Sequence, residues 1–138
     1  MNRVLVTGGA GFIGSHLVDR LISLNNNVIV FDNLISGNLE NLDQVKNKEN
    51  FSFVKGDLLE FDEIEKVLNN VSKVYHLAAN PEVRVGETNP KVHFDNNVLA
   101  SFNLLEAMRK NNVSKMVFTS TSAVYGDAKI MPTPENYP

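Results

Sequence analysis

Near its C-terminal end the chain reads FTSTSAVYG, Phe118 to Gly126, with three successive hydroxyl residues, Ser120, Thr121 and Ser122, between an apolar run and a turn. A hydroxyl at the tip of a buried strand suits hydrogen bonding to a reacting oxygen, provided that an acid or base stands beside it. A second stretch with chemical potential is TGGAGFIG, residues 7–14, where Gly8, Gly11 and Gly14 repeat as G-x-x-G-x-x-G. Glycines at this spacing permit a tight turn, let the backbone approach a pyrophosphate and let a helix pack closely on a strand. The helix that follows offers unpaired N–H groups and a partial positive charge to phosphates. A third element is Asp32, 18 positions beyond Gly14, close to the spacing of about 20 for a carboxylate that binds a ribose. Such a carboxylate accepts hydrogen bonds from ribose hydroxyls and repels a 2′-phosphate, so NAD is expected rather than NADP. Glycines also make purely structural turns and Asp32 could simply end a strand. The ordered set of strand, glycine loop, helix, strand and acid favours phosphate binding.

The elements that would hold these residues follow from the hydrophobic pattern. Short β-branched runs at 3–7, 27–32, 51–56, 73–79 and 115–120 read as buried strands. Between them, Ile13, Leu17, Leu21 and Ile22 share one helical face, as do Phe61, Ile64, Val67 and Leu68. The longest helical pattern begins at Thr88-Asn89-Pro90, a capping residue followed by proline in the first turn, and runs through Phe94, Val98, Phe102, Leu105 and Met108. The interval 33–50 is a polar loop with at most a short helix around Leu39–Val45. Strands separated by crossovers imply an α/β fold, a Rossmann-type doubly wound parallel sheet of about five strands. After Gly126 the segment DAKIMPTPENYP carries three of the five prolines and no periodicity, which reads as a loop or tail. The expected organisation is therefore a dinucleotide-binding domain over 1–126 and a loop or tail over 127–138.

Composition narrows the function classes. The 138 residues suit one domain. A hydrophobic content of 43% with 21% charged residues is ordinary for a globular protein. A net charge of −3 with scattered Lys and Arg gives no nucleic-acid footprint. The absence of cysteine excludes disulfides and thiolate metal sites. No apolar run approaches the ~20 residues of a membrane span, and MNRVLVTGG does not read as a signal peptide. A cytoplasmic protein with neither nucleic-acid nor membrane partners is expected.

Five segments in order, VLVTGGAGFIGSHL, VFDNLISG, GDLLE, VYHLAA and FTSTSAVYG, resemble the extended short-chain dehydrogenase/reductases, and among them the NAD-dependent sugar-nucleotide epimerases and dehydratases. The likeness covers essentially the whole chain and is strongest to the 4-epimerases of UDP-sugars. It implies a role for each matching position. Phe12 and Ile13 would place their backbone at the pyrophosphate, and Asp32, Asn33, Ser36 and Gly37 would surround the adenosine ribose. Asp57, with Leu58 beside it, would accept from the adenine amino group. Leu77, Ala78 and Ala79 would line the floor under the nicotinamide ribose, and Asn96 would contact the cofactor with Asn97 as its structural companion. Without the resemblance, Asp57 reads equally as a strand end or helix cap, and Leu77–Ala79 as ordinary core. Two asparagines in an apolar helix are less easily dismissed, because buried amides need partners. His16, His76 and His93 form no metal pattern and read as structural or exposed; Arg84 reads as solvated.

The resemblance also puts Thr121 at the catalytic Ser/Thr position, where its hydroxyl would bond the sugar oxygen being oxidised. In such enzymes a tyrosine of a Tyr-x-x-x-Lys pair on a later helix removes the proton. Tyr125 and Lys129 match those letters, but Tyr125 belongs to the VYG turn, so the match reads as accidental and the pair as absent from these residues. Related 4,6-dehydratases carry an Asp-Glu pair after this threonine, and related decarboxylases a glutamate just before VYG. Here those positions hold Ser122 and Ala123, the pattern of an epimerase. The resemblance thus implies the NAD-binding part of a UDP-sugar 4-epimerase, homodimeric when complete, with negligible turnover by these 138 residues alone. The alternatives are a stand-alone, non-catalytic NAD-binding module, or part of another sugar-nucleotide dehydratase or reductase.

Overall fold

A computed structural model describes residues 2–137. Strand β1 (Arg3–Thr7) leads through the glycine loop into helix α1 (Phe12–Ser23) and strand β2 (Asn27–Asp32). A 3-10 turn at Leu39–Leu42 precedes strand β3 (Phe51–Lys55), helix α2 (Phe61–Val67) and strand β4 (Lys73–His76). Two single-turn helices, α3 (Val85–Thr88) and α4 (Pro90–His93), run into a π-helical turn at Phe94–Leu99, helix α5 (Ala100–Lys110) and strand β5 (Met116–Phe118).

All strand pairs are parallel and the sheet order is β3-β2-β1-β4-β5. This is the doubly wound arrangement expected from the alternating strands and helices. Successive side chains of a strand point to opposite faces, and β1 shows the consequence. Val4 and Val6 pack with Val28 and Val30 against Val18, Leu21 and Ile22 of α1. Leu5, between them, packs with Ile29, Phe31 and Val74 against Ile64 of α2 and Leu104, Ala107 and Met108 of α5. Helices therefore cover both faces of the central strands β1 and β2, whose middle residues are apolar for that reason. The edge strands β3 and β5, expected to be buried, are instead half-buried to exposed because each has a neighbour on one side only. Among the described residues no helix is long and apolar enough to cross a membrane.

Three expectations about element boundaries need correction. The strands expected at 51–56, 73–79 and 115–120 end earlier, at Lys55, His76 and Phe118. Leu77–Ala79 leave the sheet although apolar, because they pass over the end of β1 instead of pairing along it. The helix expected to run unbroken from residue 88 is instead divided. Asn89 stands at the N-cap position of α4 with Pro90 in the first turn, but its side chain makes no capping bond, and the chain then widens into a π turn. The Asn96 side chain donates from Nδ2 to the Val92 carbonyl at 2.9 Å. In a regular α-helix that carbonyl would take the Asn96 backbone N–H, so a side chain has entered the i→i−4 ladder. In the interval 33–50, the 3-10 turn ends at Leu42, short of the Val45 expected.

Candidate functional site

The C-terminal ends of the strands open onto a cleft of about 470 Å³ at the point where the strand order reverses between β1 and β4. Open parallel sheets bind their ligands at such switch points. All fifteen residues expected to hold the cofactor line this cleft: Gly8, Gly11, Phe12, Ile13, Gly14, Asp32, Asn33, Ser36, Gly37, Asp57, Leu58, Leu77, Ala78, Ala79 and Asn96.

The glycine loop shows why these positions exclude side chains. Gly8 has φ of 69°, in the left-handed region, and a Cβ there would stand 2.7 Å from the Ala78 backbone nitrogen. A Cβ on Gly14 would fall onto the Gly8 carbonyl. The loop thus lies flat against both the strand-end segment at Ala78 and the start of α1. Helix α1 begins at Gly11 with no side-chain cap and no acidic residue in its first turn. Its first N–H groups are left for an anion, with no carboxylate competing.

Asp32, 8% exposed, closes the other side of this loop. Its Oδ2 accepts from the Ala10 N–H at 2.9 Å, and its Oδ1 accepts from the Leu34 N–H at 2.9 Å. Both carboxylate oxygens are oriented by backbone, and each retains a further lone pair for a hydroxyl donor. A Cβ on Gly37 would lie 2.9 Å from Asp32 Oδ1 and 2.9 Å from Ala10 Cβ, so glycine keeps access to the carboxylate open. The cleft lining contains no lysine or arginine. The only arginine between β1 and Arg84 is Arg20, in the last turn of α1 and outside that lining.

Further along the cleft, Asp57 is neither a helix cap nor a free strand end. Its Oδ1 accepts from the Leu59 N–H at 2.9 Å and its Oδ2 from Asn33 Nδ2 at 3.3 Å. At the opposite end, Asn97 holds both backbone groups of Asn80. Its Oδ1 accepts from the Asn80 N–H at 2.7 Å, and its Nδ2 donates to the Asn80 carbonyl at 3.4 Å. The two asparagines of the long helix therefore divide their tasks: Asn96 lines the cleft and Asn97 fixes the loop that floors it.

The hydroxyl cluster lies apart. Thr121 is exposed and outside the cleft lining; it caps a 3-10 turn at Ser122–Tyr125, with Oγ1 accepting from the Ala123 N–H at 3.2 Å. Tyr125 ends that turn and is followed by Gly126 with φ of 58°, so Tyr125 and Lys129 do not share a helix face. Among the histidines, His16 is exposed, His93 half-buried and His76 buried, and no metal-holding group occurs among the described residues. Arg84 is exposed. Seven lining residues lay outside the sequence expectation: Phe31, Ile35, Gly56, Asn80, Pro81, Ala100 and Thr119. Thr119 was legible in principle, being adjacent to the hydroxyl run; Asn80 follows directly on the VYHLAA segment.

Against known proteins, the family model described as GDP-mannose 4,6 dehydratase matches residues 5–138. The chain belongs to this family. The GDP-mannose 4,6 dehydratase family assignment agrees with the resemblance to extended short-chain dehydrogenase/reductases drawn from the five sequence segments. Among solved structures, UDP-N-acetylglucosamine 4-epimerase from Methanobrevibacter ruminantium is 45% identical, with a TM-score of 0.85 over 98% of this chain and 43% of that one. UDP-glucose 4-epimerase from Thermus thermophilus, solved in complex with NAD, is 39% identical with a TM-score of 0.83, over 99% of this chain and 43% of that one. UDP-glucuronic acid decarboxylase 4 from Arabidopsis thaliana is 41% identical over 98% of this chain and 29% of its own length. The chain thus spans less than half the length of the relatives it matches.

Proposed function

We propose that this chain is the NAD-binding portion of a sugar-nucleotide 4-epimerase acting on UDP-sugars such as UDP-glucose and UDP-galactose. The observation that carries the reading is the single cleft in which the glycine loop, Asp32, Asp57 and the Leu77–Ala79 segment meet. The pyrophosphate would lie at the uncapped start of α1. The adenosine ribose would hydrogen-bond to Asp32 beside Asn33, Ser36 and Gly37, and the adenine would reach Asp57 and Leu58. The nicotinamide ribose would cross Leu77–Ala79 near Asn96. Asp32 and a lining without cations favour NAD over NADP. When bound, NAD supplies the acceptor and donor of hydride for a reversible oxidation at the sugar C4.

Thr121 is the residue of this chain assigned to the reacting sugar oxygen. Its Oγ1 accepts from the Ala123 N–H, which leaves the hydroxyl proton to donate. Ser122 and Ala123 put no carboxylate next to it, which supports epimerisation over elimination or decarboxylation. Residues 1–126 would act as the nucleotide-binding unit and 127–138 as the segment leading away from it, in a cytoplasmic enzyme. The exposed stripe of Phe94, Val98, Phe102 and Leu105 suits a homodimer interface of the whole protein. Calorimetric titration of the 138-residue chain should show NAD binding more tightly than NADP. UDP-galactose should remain unconverted by this chain with NAD present. Equal affinity for the two dinucleotides would remove Asp32 from the ribose, and measurable conversion to UDP-glucose would overturn the expected inactivity.

A further inference from the structure

A buried polar chain crosses the fold beneath the cleft. Thr7 Oγ1 and His76 Nδ1 are 2.6 Å apart, and His76 Nε2 and Ser101 Oγ are 2.9 Å apart. Thr7 and His76 are 0% and 1% exposed. The direction of each hydrogen bond follows from counting protons. Ser101 has one hydroxyl proton, and it goes to the Asn97 carbonyl at 2.7 Å, a group that only accepts. Toward His76, Ser101 Oγ must therefore accept, which places the ring proton on Nε2. Burial keeps the imidazole neutral, its pKa lowered to about 4 by desolvation. Nδ1 is then bare and accepts the Thr7 hydroxyl proton. The Thr7 oxygen in turn faces the Ala78 N–H at 3.4 Å, while the Thr7 carbonyl accepts from the Leu77 N–H at 3.1 Å.

We propose that Thr7, His76 and Ser101 form a hydrogen-bond chain of fixed direction that sets the position of the cleft floor, making His76 a positioning residue for the nicotinamide end of the cofactor. The chain runs from the Ala78 N–H through Thr7, His76 and Ser101 to the Asn97 carbonyl. Asn97 closes the circuit by clasping both backbone groups of Asn80. Strand β1, strand β4 and the π turn at Phe94–Leu99 are thereby tied to the two ends of the floor, Ala78 and Asn80. No member of the chain other than Ala78 and Asn80 lines the cleft, so Thr7, His76 and Ser101 act through the floor and not by touching a ligand. The adenosine end, at Asp32 and Asp57, has its own hydrogen bonds and is independent of this circuit.

The inference rests on the reading of the cleft as a dinucleotide site, and its test separates the two. In the unmodified chain, proton-coupled ¹⁵N spectra of the His76 ring should place the proton on Nε2 and leave Nδ1 bare at neutral pH; a proton on Nδ1 overturns the chain. This measurement needs no variant. Thr7→Val removes the hydroxyl at constant shape, and Thr7→Ser keeps it. Thr7→Val should speed hydrogen exchange of the Ala78 amide, with Thr7→Ser close to the unmodified chain. It should also weaken NAD by about tenfold, the worth of one hydrogen bond, while AMP changes by less than about twofold on the same scale. Thr7→Ser should restore NAD. Equal losses for AMP and NAD, or no loss of NAD, overturn the positioning role. If the unmodified chain binds neither nucleotide, the reading of the cleft falls. The ring tautomer and the Ala78 exchange rate then still decide whether the hydrogen-bond chain holds the floor.

Discussion

The Asp32 carboxylate accepts the Ala10 N–H at 2.9 Å, a hydrogen bond that joins the end of β2 to the glycine loop 22 residues earlier. One side chain thus fixes the shape of the glycine loop and, in the function proposed above, also presents an acceptor to the ribose. Asp32→Ala should cost both functions. It leaves the N–H groups of Ala10 and Leu34 without their acceptor, and orphaned buried donors cost about 1–3 kcal/mol. Urea denaturation should show a loss of that size. NAD affinity should fall by tenfold or more, and discrimination against NADP should shrink, because the charge that repels a 2′-phosphate is gone. Undiminished preference for NAD in the variant would mean that some other group reads the ribose.

Two glycines share a positive φ and differ in surroundings, which separates two costs. Gly8 and Gly126 have φ of 69° and 58°. A Cβ at Gly8 meets the Ala78 and Leu77 backbone within 3 Å, whereas at Gly126 nothing lies within 4 Å. Gly126→Ala should therefore pay only the conformational term of about 1–3 kcal/mol and leave nucleotide binding unchanged. Gly8→Ala pays that term plus an overlap that only backbone movement relieves, adding about 1–3 kcal/mol. It should also abolish NAD binding, since the loop and the cleft floor must separate. Thermal denaturation and NAD titration of the two variants side by side would test this, and equal effects would refute the close approach.

Much of this arrangement was written in local pattern. Strand and helix periods gave the five strands, and the parallel order followed from the crossovers. The glycine spacing and Asp32 located the cleft, because each of those residues answers a backbone demand that few other residue types meet. The π turn at Phe94–Leu99 was not legible. One extra residue in a helical turn shifts the apolar period too little to register over six residues, and the side-chain bonds that accompany it, from Asn96 to the Val92 carbonyl and between Asn97 and Asn80, leave no periodic mark. Leu77–Ala79 misled for another reason: apolar letters suit a strand, yet these residues lie past the end of β4 and line the cleft, half-buried or exposed. The hydrogen-bond chain through His76 depends on residues 69 and 25 positions apart, and a lone histidine in an apolar strand announces neither partner.

His76 makes a prediction about pH. Its ring hydrogen-bonds only to Thr7 and Ser101 and lies tilted against Phe118 with centroids 5.5 Å apart, so among the described residues no carboxylate bonds to it to compensate a charge. Burial lowers its pKa from 6.5 to about 4. As pH falls through 6.5 the unfolded chain takes up this proton while the folded chain does not, so acid favours unfolding in that window. The contribution of His76 is fully present above pH 6.5 and is lost progressively toward pH 4. Linkage puts the loss at about 2 kcal/mol at pH 5 relative to pH 7, and about 3 kcal/mol at pH 4. Urea midpoints measured across this range should fall accordingly. His76→Gln, which cannot take up a proton, should be less stable at pH 7 but should lose less stability between pH 7 and pH 5 than the unmodified chain. A variant whose pH slope is as steep as that of the unmodified chain would show that His76 is not the group being titrated.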